Sequence, residues 1–321
     1  MSYNRTNGTL RAAAVLKLTI GGETLIIRTP SDIKTTIGYS TFDVPYGENG
    51  KKDPRMKAVD LSVSCVPVGV LSAELLAFLF SNLSKRRGES LLGASDVTCQ
   101  ILPKAGGEAI TFNSVYVSKM PKITVKSTAT ALGEFTLRGV LPLSTDWTAA
   151  SARFSYAAAA AAPTLTEVDA STILTSAAKL TWGSEAPYID IKTGDGVEID
   201  WDQKTVDDED DDDGLIDVWL DGLVPKVKIS SPRGLTIKNL LDRMALMQGT
   251  GSGRGSRVNA STVDLSVEGS AVGSIKVEVP KCALQQLPVT HGVNTKWIGS
   301  IDLVGTEEDA DPATVSLVAA P

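Results

Sequence analysis

The chain has 321 residues, 42% hydrophobic and only 5% aromatic, with a formal net charge of −7; that length suits about two domains, each able to bury its own core. No run of about 18 apolar residues is present, which excludes a membrane-spanning helix. The acidic balance argues against the basic face that nucleic-acid binding needs.

In chain order, the opening stretch MSYNRTNGTLRAAA lacks the apolar centre of a secretory signal, so the expectation is synthesis and folding in a cytoplasm. Lys17–Thr29 (KLTIGGETLIIRT) predicts two strands around a glycine turn. An extended loop, Tyr46–Lys57, leads to a strand over Val59–Val66. The run Leu71–Phe80 predicts a helix: Leu75, Leu76, Leu79 and Leu83 share a face, Ser72 stands at the cap and Glu74 in the first turn. Ser95–Ile101, Ala109–Val117 and Phe135–Leu141 predict three returning strands. Thr148–Ala177 is predicted to be a linker. Its centre, Ala157–Ala162, predicts a short helix that Pro163 stops.

The same order then recurs. Lys179–Thr193 (KLTWGSEAPYIDIKT) repeats the first hairpin at an offset of 162, widening to 164 at the closing Thr. Val197, Ile199 and Trp201 alternate with Glu198, Asp200 and Asp202, the period of a half-buried strand. Val224–Ile229 parallels Val59–Val66, and Leu235–Met244 (with Leu235, Leu240, Leu241 and Met244 as its apolar set) parallels the helix. Ser261–Val267, Gly273–Val279 and Ile298–Val304 parallel the three returning strands. Five matches in one order at nearly constant spacing mark an internal repeat of roughly 130 residues. The expected fold is mainly β: two tandem units over 1–147 and 178–321, joined by 148–177, each a β-sandwich with one flanking helix.

The loop after the second strand changes sign between the copies. Lys51, Lys52, Arg55 and Lys57 outweigh Glu48 and Asp53 in the first. In the second, Asp202–Asp213 sets eight acids (Asp202, Asp207, Asp208, Glu209, Asp210, Asp211, Asp212 and Asp213) against Lys204, which accounts for the whole formal net charge. Opposite charge at equivalent places is one way for neighbours to fix register; two independent solvated loops are the plainer reading. After each helix comes a cationic connection, with Lys85, Arg86 and Arg87 in one copy and Arg254 and Arg257 in the other. These are candidates to dock acidic loops of adjacent subunits, or else flexible connectors.

Residue patterns that carry chemistry are missing. Cys65, Cys99 and Cys282 are an odd, scattered set and are expected to be buried free thiols. His291, the one histidine, stands in VTHGV, expected at a turn without a nucleophile context. The glycine-rich Gly249–Arg257 follows a helix and has no GxxxxGK pattern. A calcium-loop alignment through Glu209, Asp211 and Asp213 puts Leu220 where a bidentate Glu is needed. Zinc clusters are absent. Trp182, Trp201, Trp219 and Trp297 are expected as core or interface anchors. No catalytic, cofactor or metal residue is therefore assigned, and the chain is expected not to be an enzyme.

A hairpin, a long extended loop, a strand, one helix and returning strands, present twice, resemble the tail tube domain of long-tailed bacteriophages, in the type that carries the domain in duplicate. The resemblance rests on element order across both copies. It implies a structural virion protein made in the host cytoplasm, with trimeric rings of pseudo-sixfold symmetry that stack into a DNA-conducting tube. Its partners would be further copies of itself and other tail proteins (tape measure, terminator, baseplate), with DNA passing unbound and no membrane. A DNA channel should repel phosphate, so Glu198, Asp200 and Asp202 become candidates for the lumen face, an ordinary solvent face being the alternative. Other readings are a different virion component, such as a baseplate, terminator or decoration protein, or a tandem β-sandwich that binds carbohydrate or a receptor.

Overall fold

The computed structural model describes residues 14–27, 33–44, 53–67, 73–92, 97–103, 107–126, 130–141, 154–159, 175–182, 188–190, 196–210, 214–230, 241, 261–269, 274–284, 300–305 and 313–318. The chain is mainly β, arranged in antiparallel sheets.

In the first half, β1 (Ala14–Ile20) and β2 (Glu23–Ile27) close on Gly21 and Gly22. Both glycines have positive φ, +57° and +90°, as a two-residue primed turn requires. β3 (Lys34–Val44) and β4 (Asp53–Cys65) form a second, much longer hairpin. α1 (Ala73–Leu79) follows, with Glu74 in its first turn and Leu75, Leu76, Phe78 and Leu79 buried. A 3-10 turn over Ser81–Ser84 buries Leu83. Then come β5 (Thr98–Pro103), β6 (Gly107–Asn113), β7 (Tyr116–Lys119), β8 (Ile123–Val125), β9 (Thr130–Leu132), β10 (Phe135–Leu141) and β11 (Phe154–Ala159). The second half comprises β12 (Thr175–Trp182), β13 (Tyr188–Asp190), β14 (Val197–Asp210), β15 (Gly214–Ser230), β16 (Ser261–Gly269), β17 (Ser274–Leu284), β18 (Ser300–Gly305) and β19 (Thr314–Val318).

Strand order is the informative feature. The first half has one sheet ordered β2-β1-β5-β6-β11 and another ordered β3-β4-β10-β7. In the second half β13-β12-β16-β17 are neighbours and β19 pairs with β17; β14-β15-β18 are likewise neighbours. The end of β17 also pairs with β18, through Cys282–Leu284. In the first half β6 and β7 are separated at Ser114, which takes φ +58°. At its far edge β14 receives β8, and β9 pairs beyond it. The second half's sheet therefore includes two strands from the first half and has ten in all.

The core follows the strand period. Leu16 and Leu18 of β1, Cys99 of β5 and Phe112 of β6 are buried from one sheet. Val63 and Cys65 of β4, with Phe135 and Leu137 of β10, are buried from the other. These belong to one hydrophobic cluster with α1 and with Val197, Ile199, Val227, Ile229, Ile301 and Leu303 of the second half. Removing such a side chain to Ala costs about 2–5 kcal/mol.

Four expectations are corrected. Ala157–Ala159, expected to be helical, lie in β11, hydrogen-bonded to β6; alanine's helix preference is under 1 kcal/mol per residue over most others, and an open sheet edge outweighs it. The supposed acidic loop is largely strand: Asp202, Asp207, Asp208, Glu209 and Asp210 are on β14. Asp53–Lys57, expected in the long loop, belong to β4, paired with β3; the rest of that loop lies outside the described residues. Leu241, expected in the apolar set of a helix, is helical but 52% exposed. The other residues of Leu235–Met244 lie outside the described residues, as do Ser72, Trp297, His291 and Gly249–Arg257.

Candidate assembly surfaces

β14 presents its two faces as its alternation predicts. Val197, Ile199 and Trp201 are buried; Glu198, Asp200 and Asp202 face outward and are half-buried. The carboxylates are not bare. Lys122 Nζ lies 3.2 Å from Glu198 Oε1 and 2.7 Å from Asp200 Oδ2. Lys226 Nζ lies 3.0 Å from Asp202 Oδ2. The hydrogen bond that the Lys122 ammonium donates to Asp200, and a second to Glu198, raise it above the usual lysine range. The hydrogen bond from Lys226 lowers the Asp202 carboxyl. Lys228 stands opposite Glu198 in register, and Asp302 of β18 opposite Lys228. The face is thus a ladder of alternating sign, not a wall of carboxylates.

In the first half, hydroxyls line part of the outward side of β4, β7 and β10. Ser64 Oγ and Thr136 Oγ1 are 2.8 Å apart, and Ser118 Oγ donates to the Thr136 carbonyl at 3.2 Å. Lys34 and Lys119 approach Glu134 at 3.4 and 3.5 Å. Both pairs are well exposed, so each contributes little to stability.

The outer part of the β14–β15 hairpin rests on the first half. Gly88 N–H donates to Leu220 O, Leu220 N–H to Glu89 O and Leu91 N–H to Val218 O, at 2.7–3.0 Å. Arg87 Nη2 meets Asp221 at 2.8 Å, Ser90 Oγ donates to Asp217 at 2.7 Å, and Arg138 reaches Asp207 at 3.6 Å. A cationic connection after a helix thus docks an acidic strand, as the sequence pattern allows, but within one chain. The cross-strand pair Val206 and Trp219 stays exposed, at 53% and 38%, and the Trp219 indole donates to Asp208 at 3.2 Å. Arg55 sits on β4 opposite Phe42, Lys57 is on the same strand, and Arg86 lies exposed beyond the 3-10 turn. Lys51, Lys52, Asp211, Asp212, Asp213, Arg254 and Arg257 lie outside the described residues.

The joint between the halves is closed by β8 on β14, with Ile123, Thr124 and Val125 opposite Ile199, Glu198 and Val197. Trp201 fills it: its indole donates to Pro121 O at 3.0 Å, and its ring meets Phe80 edge-on at 5.7 Å. Asn82 Nδ2 donates to Val117 O at 2.6 Å and to Gln203 Oε1 at 3.2 Å. Gly196 (φ +70°) passes so close to Val125 that a Cβ there would run into its carbonyl.

Sequence reasoning did not find Lys122, Lys226, Arg138 or Asp221, whose partners lie on other strands. Only the Lys226–Lys228 alternation along β15 hinted at an outward cationic column. Among the described residues, no three His, Cys, Asp or Glu side chains converge as metal ligands. Cys65, Cys99 and Cys282 are free and buried; burial pushes the thiols up, to about 12 for Cys65 and Cys282. Comparison with protein-family models and with curated proteins found no match for this chain.

Proposed function

We propose that this chain is a ring-forming structural protein of the tail-tube type, carrying two copies of one β-sandwich unit so that three chains complete a six-part ring. The observation that carries the reading is the strand order. The set β2-β1-β5-β6-β11 has its counterpart in β13-β12-β16-β17-β19, and β3-β4-β10 in β14-β15-β18. Agreement of both sets with the sequence repeat supports duplication better than either does alone.

Duplication supports assembly for a physical reason. One internal joint leaves each chain with an unmatched end of each kind, and head-to-tail contacts that close by rotation make rings. Rings stacked by translation make a tube. The charge-balanced face of β14, β15 and β18 and the hydroxyl face of β4 and β10 are our candidates for the channel wall. On both, the cations named above lie beside carboxylates, which lowers the positive charge left to hold DNA phosphates.

Negative-stain electron microscopy of the purified chain at high concentration tests the reading. Rings or stacked tubes are expected; a monodisperse monomer at every concentration overturns it.

A further inference from the structure

We propose that the cavity between the β1–β2 turn and α1 binds a small apolar molecule carrying a protonated amine, of the alkyl- or arylalkyl-ammonium class. The site lies within the first half, and its occupation does not depend on the ring reading.

The cavity measures about 680 Å³, inside the range of about 300–1,000 Å³ that small-molecule sites take. Leu25 of β2 and Phe78 of α1 stand in its walls, with Leu91, Val97 and Val115, which are buried. Protein interiors are close-packed and rarely leave such a volume empty. Small residues keep this one open. Gly21 and Ala77 both line it, and a Cβ built on Gly21 meets nothing within 4 Å.

The polar groups of the lining select the ligand. Asn82 is 3% exposed and lines the cavity. Its Nδ2 donates to Val117 O at 2.6 Å and to Gln203 Oε1 at 3.2 Å. Both amide hydrogens are thus taken, which fixes the orientation of the amide. Its Oδ1, to which no described residue donates, is left as an open acceptor. A buried acceptor without a donor is unfavourable, and a ligand N–H would satisfy it. Glu23 of β2 and Glu74 of α1, both exposed, add carboxylates to the lining. Lys85 also lines the cavity, but its Nζ donates to Ser90 O at 3.2 Å. Two carboxylates against one ammonium leave the site net negative, and a charge-assisted donor is the group that it complements best. An anionic ligand would meet like charge there. Two main-chain groups of the wall, Val115 N–H and Val117 O, are engaged by Val97 O and Asn82, so an extended peptide finds no ladder on them. The occupant is therefore a free small molecule.

The test is an NMR titration of the full chain with phenylbutylamine, phenylbutanol and phenylbutyrate, which share one apolar body and differ in the head group. The amine should bind about tenfold tighter than the alcohol, and the butyrate weaker than both. Glu23→Gln together with Glu74→Gln should bring the amine close to the alcohol's affinity and leave the alcohol's unchanged. Ala77→Phe, at an exposed position of α1, fills the space and should abolish binding of all three. The glutamine variant alters only exposed side chains, so it carries the test if the filled variant fails to fold. Equal affinity for the three head groups, amine binding that survives in folded Ala77→Phe, an unchanged preference for the amine in the glutamine variant, or no binding of any probe at millimolar concentration overturns the proposal.

Discussion

The indole N–H of Trp201 donates to the carbonyl oxygen of Pro121 at 3.0 Å, tying the carboxylate-bearing strand of the second half to the residues that lead into β8, the strand that seals its edge. Trp201 is 7% exposed, so both its packing and its hydrogen bond act away from water. Trp201→Ala should lower stability by about 3–5 kcal/mol. Trp201→Phe, which leaves Pro121 O unpaired, should cost about 1–3 kcal/mol. Denaturant unfolding checks both. Because the tryptophan joins the halves, the alanine variant should also split one transition into two.

Gly196 is required by the same joint. Gly196→Ala places a side chain at φ +70° and against Val125. The backbone term alone is about 1–2 kcal/mol, and relief of the contact must push β8 off β14. Amide hydrogen exchange should show protection lost at Ile123–Val125. Unchanged protection there would contradict the close approach.

The Lys226–Asp202 pair gives a pH signature. Asp202 is lowered from 3.8 by Lys226. Its contribution is therefore present above that ordinary value and is lost as pH falls through the lowered one. In Lys226→Met, NMR titration of the Asp202 carboxyl should return it to the ordinary range. The variant should also lack this residue's share of the wild-type decline in acid. Lys122 has the opposite sign: it is raised from 10.5, so its contribution is present below that value and is lost as pH rises through the raised one.

The thiols should be silent while the chain is folded. With Cys65 and Cys282 pushed up to about 12 and Cys99 raised further by burial, almost no thiolate exists at pH 8. A colorimetric disulfide reagent should titrate no thiol in native protein and three after unfolding. A thiol that reacts at once in the native state would contradict the burial.

The acidic hairpin end should govern the salt response of assembly. Asp207 is already engaged by Arg138 within the chain, and Asp208 accepts from the Trp219 indole. Exchanging Asp210–Asp213 for Ser should impair ring stacking and flatten its dependence on ionic strength. Light scattering across a salt series that matches wild type would remove the pairing of opposite-sign hairpins from the account.

Much of the fold is legible in the residues, because strands that bury one face must alternate. Leu16 and Leu18, Val63 and Cys65, Phe135 and Leu137, and Val197, Ile199 and Trp201 all read inward as written. β3 was missed although Ile33, Thr35 and Ile37 alternate with Lys34, Thr36 and Gly38, since Thr and Gly weaken an apolar signal. The Ala-rich stretch misled because propensity is local, whereas β11 is made by the β6 edge. The ion pairs on β14 were beyond reach because Lys122 lies 76 residues before Glu198, and only the β8–β14 register brings them together.

The central claim is that two units per chain make six sectors from three chains. Native mass spectrometry of rings released from assembled protein tests it most directly. The account predicts a closed species of three chains; rings of six chains, or no species above one chain at assembling concentration, would contradict it.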